Sequence, residues 1–224
     1  MQRVILHGGG TTAAETTKRL IALAGGPAAR IVVLAHTGED VAGKAKRSAD
    51  WLRENGATSV LAPVAIPEAL DALQGASGVW IPGGDQSALT AAFAGTDLAA
   101  RLQRIAVVGG TSAGAALMGS LMPTGKGDAK KMQRSSVEAK PGLAVLQNIV
   151  VDTHFFVRER TQRLINIVYS QPAGTLGIGW DENAWGEVDG RRLQVRTGQA
   201  LLIERRPETL TVRVLDAGSS VVLP

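Results

Sequence analysis

The chain has no cysteine. Disulfides, thiolate metal sites and a cysteine nucleophile are therefore excluded. Aromatic residues are scarce as well, with one tyrosine and three phenylalanines in 224 residues. That leaves little for stacking on bases, and no nucleic-acid partner is expected. No apolar run approaches the ~18 residues that a membrane-spanning helix needs, so no membrane partner is expected either. Met1-Gln2-Arg3-Val4-Ile5-Leu6 passes straight into a strand pattern and lacks a signal-peptide core and cleavage site. A cytoplasmic address is the expectation. Histidine is rare too: the three are His7, His36 and His154. They are too few and too dispersed for a metal-ligand motif, and no carboxylate loop has calcium spacing, so neither metal nor cofactor is expected. The net charge of +4 is mild. Basic residues cluster only at Lys126, Lys130, Lys131 and Arg134, a stretch suited to a solvated loop or to attracting an anion.

What is present is ordinary globular composition, enough for a well-cored α/β domain. Apolar strand patterns at Val4–Leu6, Ile31–Ala35, Ser59–Ala62, Val79–Pro82, Ile105–Val108 and Ile149–Asp152 alternate with helical patterns. The helical patterns lie at Thr12–Ala24, Val41–Asn55, Pro67–Leu73, from Ser87, and from Arg158 to Tyr169. Alternation of this kind predicts a mostly parallel sheet flanked by helices, with ligands beyond the carboxyl ends of the strands. From Gly174 onward, short strands and turn signals replace the helices. They predict an antiparallel β extension over 174–224, packed on the same sheet within a single unit spanning 1–224. Gly119–Gly142 is the least regular stretch.

The segment Gly110-Thr111-Ser112-Ala113-Gly114 contains G-x-S-x-G between a strand pattern and a helix-compatible run. That is the context of a nucleophile elbow, which exposes a serine oxygen at a strand end. Such a serine needs a general base, and each histidine follows a strand pattern, so position alone leaves His7, His36 and His154 open. The base needs an acid to orient it, and Asp128, Glu138 and Asp152 are the candidates. The oxyanion needs backbone donors; Ala113 follows the serine, and Gly84 lies in the Gly83-Gly84-Asp85 turn.

At this point four segments are similar to a known family. Gly83-Gly84-Asp85-Gln86 with Leu89 resembles its GGDQxxL, and Gly110–Ala115 resembles GTSAGA. Asp152-Thr153-His154-Phe155 with Arg158, Arg160 and Arg163 resembles DQHFxxRxRxxRL, and Gly177–Glu182 resembles GIGIDE. The chain thus resembles the cyanophycinase and dipeptidase E group of serine peptidases, of class I glutamine-amidotransferase-like fold. The resemblance implies Ser112 as nucleophile, His154 as base, Asp128 as acid, and Gly84 and Ala113 as oxyanion hole. It implies substrate contacts from Asp85, Gln86, Asp152, Thr153, Arg158, Arg160 and Arg163. The implied partner is a peptide or polypeptide containing aspartate, and a homodimer is one assembly the family allows. The implied reaction is cleavage of an aspartyl peptide or isopeptide bond through an acyl-enzyme. Two other functions keep a place: an esterase, and a catalytically silent binder on the same scaffold. The chain departs from the family pattern at Thr153, where a glutamine is usual, and at Asn183-Ala184.

Overall fold

The computed structural model of the chain describes residues 2–223; Met1 and Pro224, the ends of the unit read from the sequence, lie outside them. Strand β1 (Arg3–His7) opens the chain, followed by α1 (Ala14–Ala24), β2 (Arg30–Val33), α2 (Val41–Glu54), β3 (Ser59–Leu61) and α3 (Ile66–Ala72). Then come β4 (Gly78–Ile81), α4 (Gln86–Ala92), α5 (Leu98–Leu102), β5 (Val107–Thr111) and the short α6 (Ala113–Ala116). Strands β6 (Gly119–Gly127), β7 (Val137–Pro141) and β8 (Leu146–Asp152) precede α7 (Thr161–Tyr169). The chain closes with β9 (Leu176–Trp180), β10 (Trp185–Asp189), β11 (Arg192–Thr197), β12 (Gln199–Arg205), β13 (Leu210–Asp216) and β14 (Ser220–Val222).

These strands form two sheets. The first has the order β14-β11-β10-β1-β5-β4-β2-β3, and the second β13-β12-β9-β8-β6-β7. Strands β1, β5, β4, β2 and β3 run parallel, as the α/β reading expects. Their apolar runs are buried on both faces: Ile5, Val32, Val79, Ile81 and Val108 are all 0 % exposed. Helices α1 and α2 cover one face through Leu20, Ala45, Ala49 and Leu52, which pack with Trp80. Buried Glu187 on β10 binds Arg19 of α1 and Arg196 of β11, tying helix to sheet.

The C-terminal strands depart from the sequence reading. They do not extend one sheet. Strands β10, β11 and β14 join the first sheet beside β1, while β9, β12 and β13 join the second. Strand β9 runs parallel to β8, with Asp152 opposite Gly179. Alternating apolar residues mark a strand but do not name its partner, which is why the sequence pattern could not divide them. The stretch read as least regular holds the hairpin of β6 and β7, with a register shift between Pro123 and Gly127. Glycine, proline and lysine there obscure the strand period.

Candidate active site

Ser112 joins β5 to α6 with φ of 53° and ψ of −118°. This backbone conformation is strained for a residue with a side chain. The turn fits because Gly114 lacks a side chain: a Cβ there would strike the carbonyl of Ile81. The turn is pinned by Ser112 N–H donating to the His7 carbonyl at 3.0 Å. The side chain then meets the second sheet. Ser112 Oγ lies 2.7 Å from His154 Nε2, and His154 Nδ1 lies 2.6 Å from Glu182 Oε1.

Two strands of the second sheet bring the latter pair together. Since Asp152 pairs with Gly179 across β8 and β9, both strands run out at the same edge. His154 follows β8 and Glu182 follows β9. His154 adopts a left-handed φ of 48°, and its N–H donates to the Gly8 carbonyl at 2.8 Å. Phe155, 0 % exposed, anchors the turn against the backbone of Gly179; burying such a ring contributes roughly 1.5–3 kcal/mol. Asp181 Oδ1 accepts from the N–H groups of Phe156 and Val157 at 2.9 and 3.1 Å. Asn183 N–H donates to the Gly9 carbonyl at 2.8 Å, so the segment carrying Glu182 is tied to both neighbouring loops.

Glu182 is the site group that the sequence reading missed. The acid expected from the resemblance, Asp128, is not brought to His154. Its Oδ1 accepts from Lys130 N–H at 3.0 Å, its Oδ2 lies 3.6 Å from Lys131 Nζ, and its side chain is 48 % exposed. The other two candidates are also occupied elsewhere. Glu138 accepts from the Thr124 hydroxyl at 2.5 Å. Asp152, 1 % exposed, is gripped bidentately by Arg163 and lies 3.6 Å from Arg160 Nη1. The sequence shows only that Asp181 and Glu182 directly follow a strand; what brings Glu182 to His154 is the pairing of β8 with β9. Of the other two histidines, His36 binds the Val64 carbonyl at 3.0 Å and packs on Phe93. His7 shares its Nδ1 between Thr111 Oγ1 at 2.9 Å and Gly9 N–H at 3.2 Å.

Beside Ser112 lies a cavity of about 190 Å³ lined by Gly84, Gln86, Ala113, Thr153, Arg158, Arg160 and Arg163, among others. Three guanidinium groups and the single carboxylate of Asp152 leave an excess of two positive charges along this wall. Burial, reinforced by Arg163 and Arg158 and opposed by Asp152, pushes the Arg160 pKa below its ordinary value. An anionic ligand would relieve that repulsion. Arg160 Nη1 donates to the Thr153 carbonyl at 2.7 Å, and Gln86 Nε2 to the Pro123 carbonyl at 2.5 Å. Asp85 instead caps α4, accepting from Ser87 N–H at 2.7 Å. Among the described residues, no group of three or more histidine, aspartate or glutamate side chains is arranged to hold a metal ion. No described helix is long and apolar enough to cross a membrane.

The model of peptidase family S51 matches residues 5–196. The chain belongs to this family. The chain is similar to a cyanophycinase from Synechococcus elongatus, 34% identical over 151 residues, covering 64% of this chain and 47% of that protein. A cyanophycinase from Trichormus variabilis is 36% identical over 146 residues, covering 62% and 48%. The chain thus spans about half the length of the curated relatives it matches. A peptidase structure from an acI-B1 Actinobacterium superposes with a TM-score of 0.71 at 20% identity, covering 99% of this chain and 97% of that one. That likeness places the S51 chain in the same α/β fold.

Proposed function

We propose that the chain is a serine-type peptidase that cleaves the bond on the carbonyl side of an aspartyl residue, in α or β linkage. The observation that carries this reading is the unbroken line Ser112–His154–Glu182 at the mouth of an arginine-lined cavity. The aspartyl carboxylate enters that cavity and is held by the guanidinium groups. Ser112 Oγ attacks the scissile carbonyl carbon while His154 Nε2 takes the hydroxyl proton. The carbonyl oxygen becomes an oxyanion and is received by the backbone N–H groups of Gly84 and Ala113. Gly84 suits this task because its φ of 147° and its closeness to the Thr37 carbonyl leave no room for a side chain. Glu182 accepts from His154 Nδ1–H and stabilises the imidazolium. The imidazolium then returns its proton to the departing amine as the C–N bond breaks. Water, deprotonated by the same imidazole, attacks the acyl-enzyme carbonyl, and the ester bond to Ser112 Oγ breaks as His154 returns the proton to that oxygen, releasing the new carboxylic acid and restoring the serine.

The family membership supports peptide-bond chemistry, and the excess of guanidinium charge supports an acidic acyl group. Mass spectrometry on a panel of cyanophycin, β-aspartyl-arginine, β-aspartyl-lysine and α-aspartyl dipeptides tests the reading with wild type and Ser112→Ala. Wild type should cleave at least one aspartyl class, and Ser112→Ala should lose roughly 10⁶-fold in kcat. Equal cleavage by the two proteins would remove Ser112 from the chemistry. Cleavage of none of the panel would remove the aspartyl assignment.

A further inference from the structure

A second hollow of about 240 Å³ reaches Thr111, the residue directly before the nucleophile, without touching Ser112 or His154 themselves. Its walls are Thr12, Arg47, Trp51, Trp80, Pro82 and Thr111, with Ser48. We infer that this hollow is the subsite for the leaving residue, taking an apolar side chain on the Trp51 indole and a free α-carboxylate on Arg47. The inference rests on the peptidase reading above.

Its position follows from what flanks Ser112. Thr111 directly precedes the nucleophile. Pro82 directly precedes Gly83, where an added Cβ would come within 3.3 Å of Ser112 Cβ. Thr12 ends the loop whose Gly9 lies flat against the His154 imidazole, leaving no space there for a Cβ. In a tetrahedral intermediate the acyl chain, the oxyanion and the leaving nitrogen point in different directions. With the acyl chain among the arginines and the oxyanion at Gly84 and Ala113, the nitrogen lies where His154 can protonate it, along this loop. The residue attached to that nitrogen continues over Thr12 and Thr111 into the hollow.

The chemistry of the walls selects the ligand. Trp51 is half-buried and packs on buried Trp80 with ring centroids 5.4 Å apart, giving an apolar floor. Arg47 stands at the rim with its side chain 67 % exposed. Its Nη2 donates to Asp40 Oδ2 at 3.0 Å, and the planar fork carries further donors suited to a carboxylate. Arg47, Ser48 and Trp51 recur at helical spacing along one face of α2. The indole floor, together with the Arg47 charge that Asp40 offsets only in part, disfavours a lysine or arginine side chain in the leaving residue. The volume lies below the roughly 300–1,000 Å³ that encloses drug-sized ligands, which matches one residue and not a folded chain.

Steady-state kinetics on Asp-Leu, Asp-Phe, Asp-Lys and Asp-Leu-amide test this. Wild type should prefer Asp-Leu over Asp-Lys, and over the amide, by about tenfold or more in kcat/KM. Arg47→Gln should collapse the preference for the free acid over the amide. Trp51→Ala should collapse the preference for Leu and Phe over Lys. Because Trp51 also packs on Trp80, Trp51→Phe is the companion variant, and the exposed Arg47 position needs none. A wild type that cleaves Asp-Lys as well as Asp-Leu, or an acid preference that survives Arg47→Gln, overturns the subsite. If wild type cleaves no aspartyl peptide, the peptidase reading has failed on its own, and binding decides the subsite. A saturable tryptophan-fluorescence change with free leucine or phenylalanine, lost in Arg47→Gln, supports it, and no saturable change at millimolar concentration overturns it.

Discussion

The first sheet lines the candidate site mostly with backbone, and the second lines it with charged and titratable side chains. From the first come the Ser112 turn after β5, the Gly83-Gly84 strap after β4, and the Gly8–Gly10 loop after β1. From the second come His154 after β8, Glu182 after β9, and the arginines leading into α7. The two halves depend on different physics. Backbone donors at fixed positions need tight packing and space that only glycine leaves. Charged groups need partners, and His154, Asp152 and Arg163 all have them. In the proposed mechanism the first half therefore sets where the oxyanion forms, and the second sets which proton moves and which acyl group is held.

The sharpest test of this division is the acid. Glu182→Gln keeps the shape of the second half while removing the charge facing His154 Nδ1. It should lower kcat by roughly 10⁴-fold, the cost of replacing the orienting carboxylate of a triad by an amide. Asp128→Asn, on the exposed hairpin, should change kcat by less than about twofold, as substitutions away from a working unit do. The two rate constants, measured on the same aspartyl substrate, decide the matter. The reverse order would move the acid to the hairpin and break the comparison.

How much of this could be read from the sequence follows the same division. Ser112, Ala113 and Gly84 were legible because elbow and strap are local: a strand end, glycines at short spacing, and a turn. His154 became legible through its arginine-rich neighbourhood and the resemblance. Glu182 was not, because it reaches His154 only after β8 and β9 pair, and nothing in a linear pattern states that pairing. Asp128 was chosen because the family resemblance places an acid near that position, whereas lysines on its own hairpin occupy it. The fold shows the same limit. Parallel strands and crossover helices announced themselves by period, but the C-terminal strands carried no mark of which sheet each would join. Asp85 illustrates a subtler case. Its motif position suggested a substrate contact, while its place just before α4 makes it a helix cap.

Burial lowers the pKa of both His7 and His36 in the first half, and His7 gives a second test. His7 is 0 % exposed at the end of β1. Burial, and then the charge on His154, lower its pKa from 6.5 to about 4. The unfolded chain therefore binds a proton at His7 that the folded chain refuses between those values. Stability from this group is complete above pH 6.5 and is lost as pH falls toward 4, by about 3 kcal/mol at the lower end. Urea unfolding across that window should show a steep fall for wild type and a shallower one for His7→Gln. Parallel profiles would show that the first sheet does not depend on a neutral group there.

Lys44 is the charge that complicates the comparison, because it belongs to the first half. Its Nζ donates to the Thr37 carbonyl at 2.5 Å, and the same carbonyl accepts from Asp85 N–H at 2.9 Å. Thr37 Oγ1 in turn donates to the Gly83 carbonyl at 2.8 Å, so the lysine braces the strap that carries Gly84. The ammonium also lies close enough to Gly84 that a side chain there would meet it. A fixed cation beside a developing oxyanion stabilises the transition state more than the ground state. Lys44→Met should therefore lower kcat by about tenfold with little change in KM, below the roughly 10²–10³ of deleting a direct oxyanion donor. Lys44→Arg should recover part of the loss if charge matters, and none if only the fitted shape of the lysine braces the strap. A change in KM that varies with the leaving residue would instead assign Lys44 to the α2 face beside Arg47, and the first half would then reach the oxyanion through backbone alone.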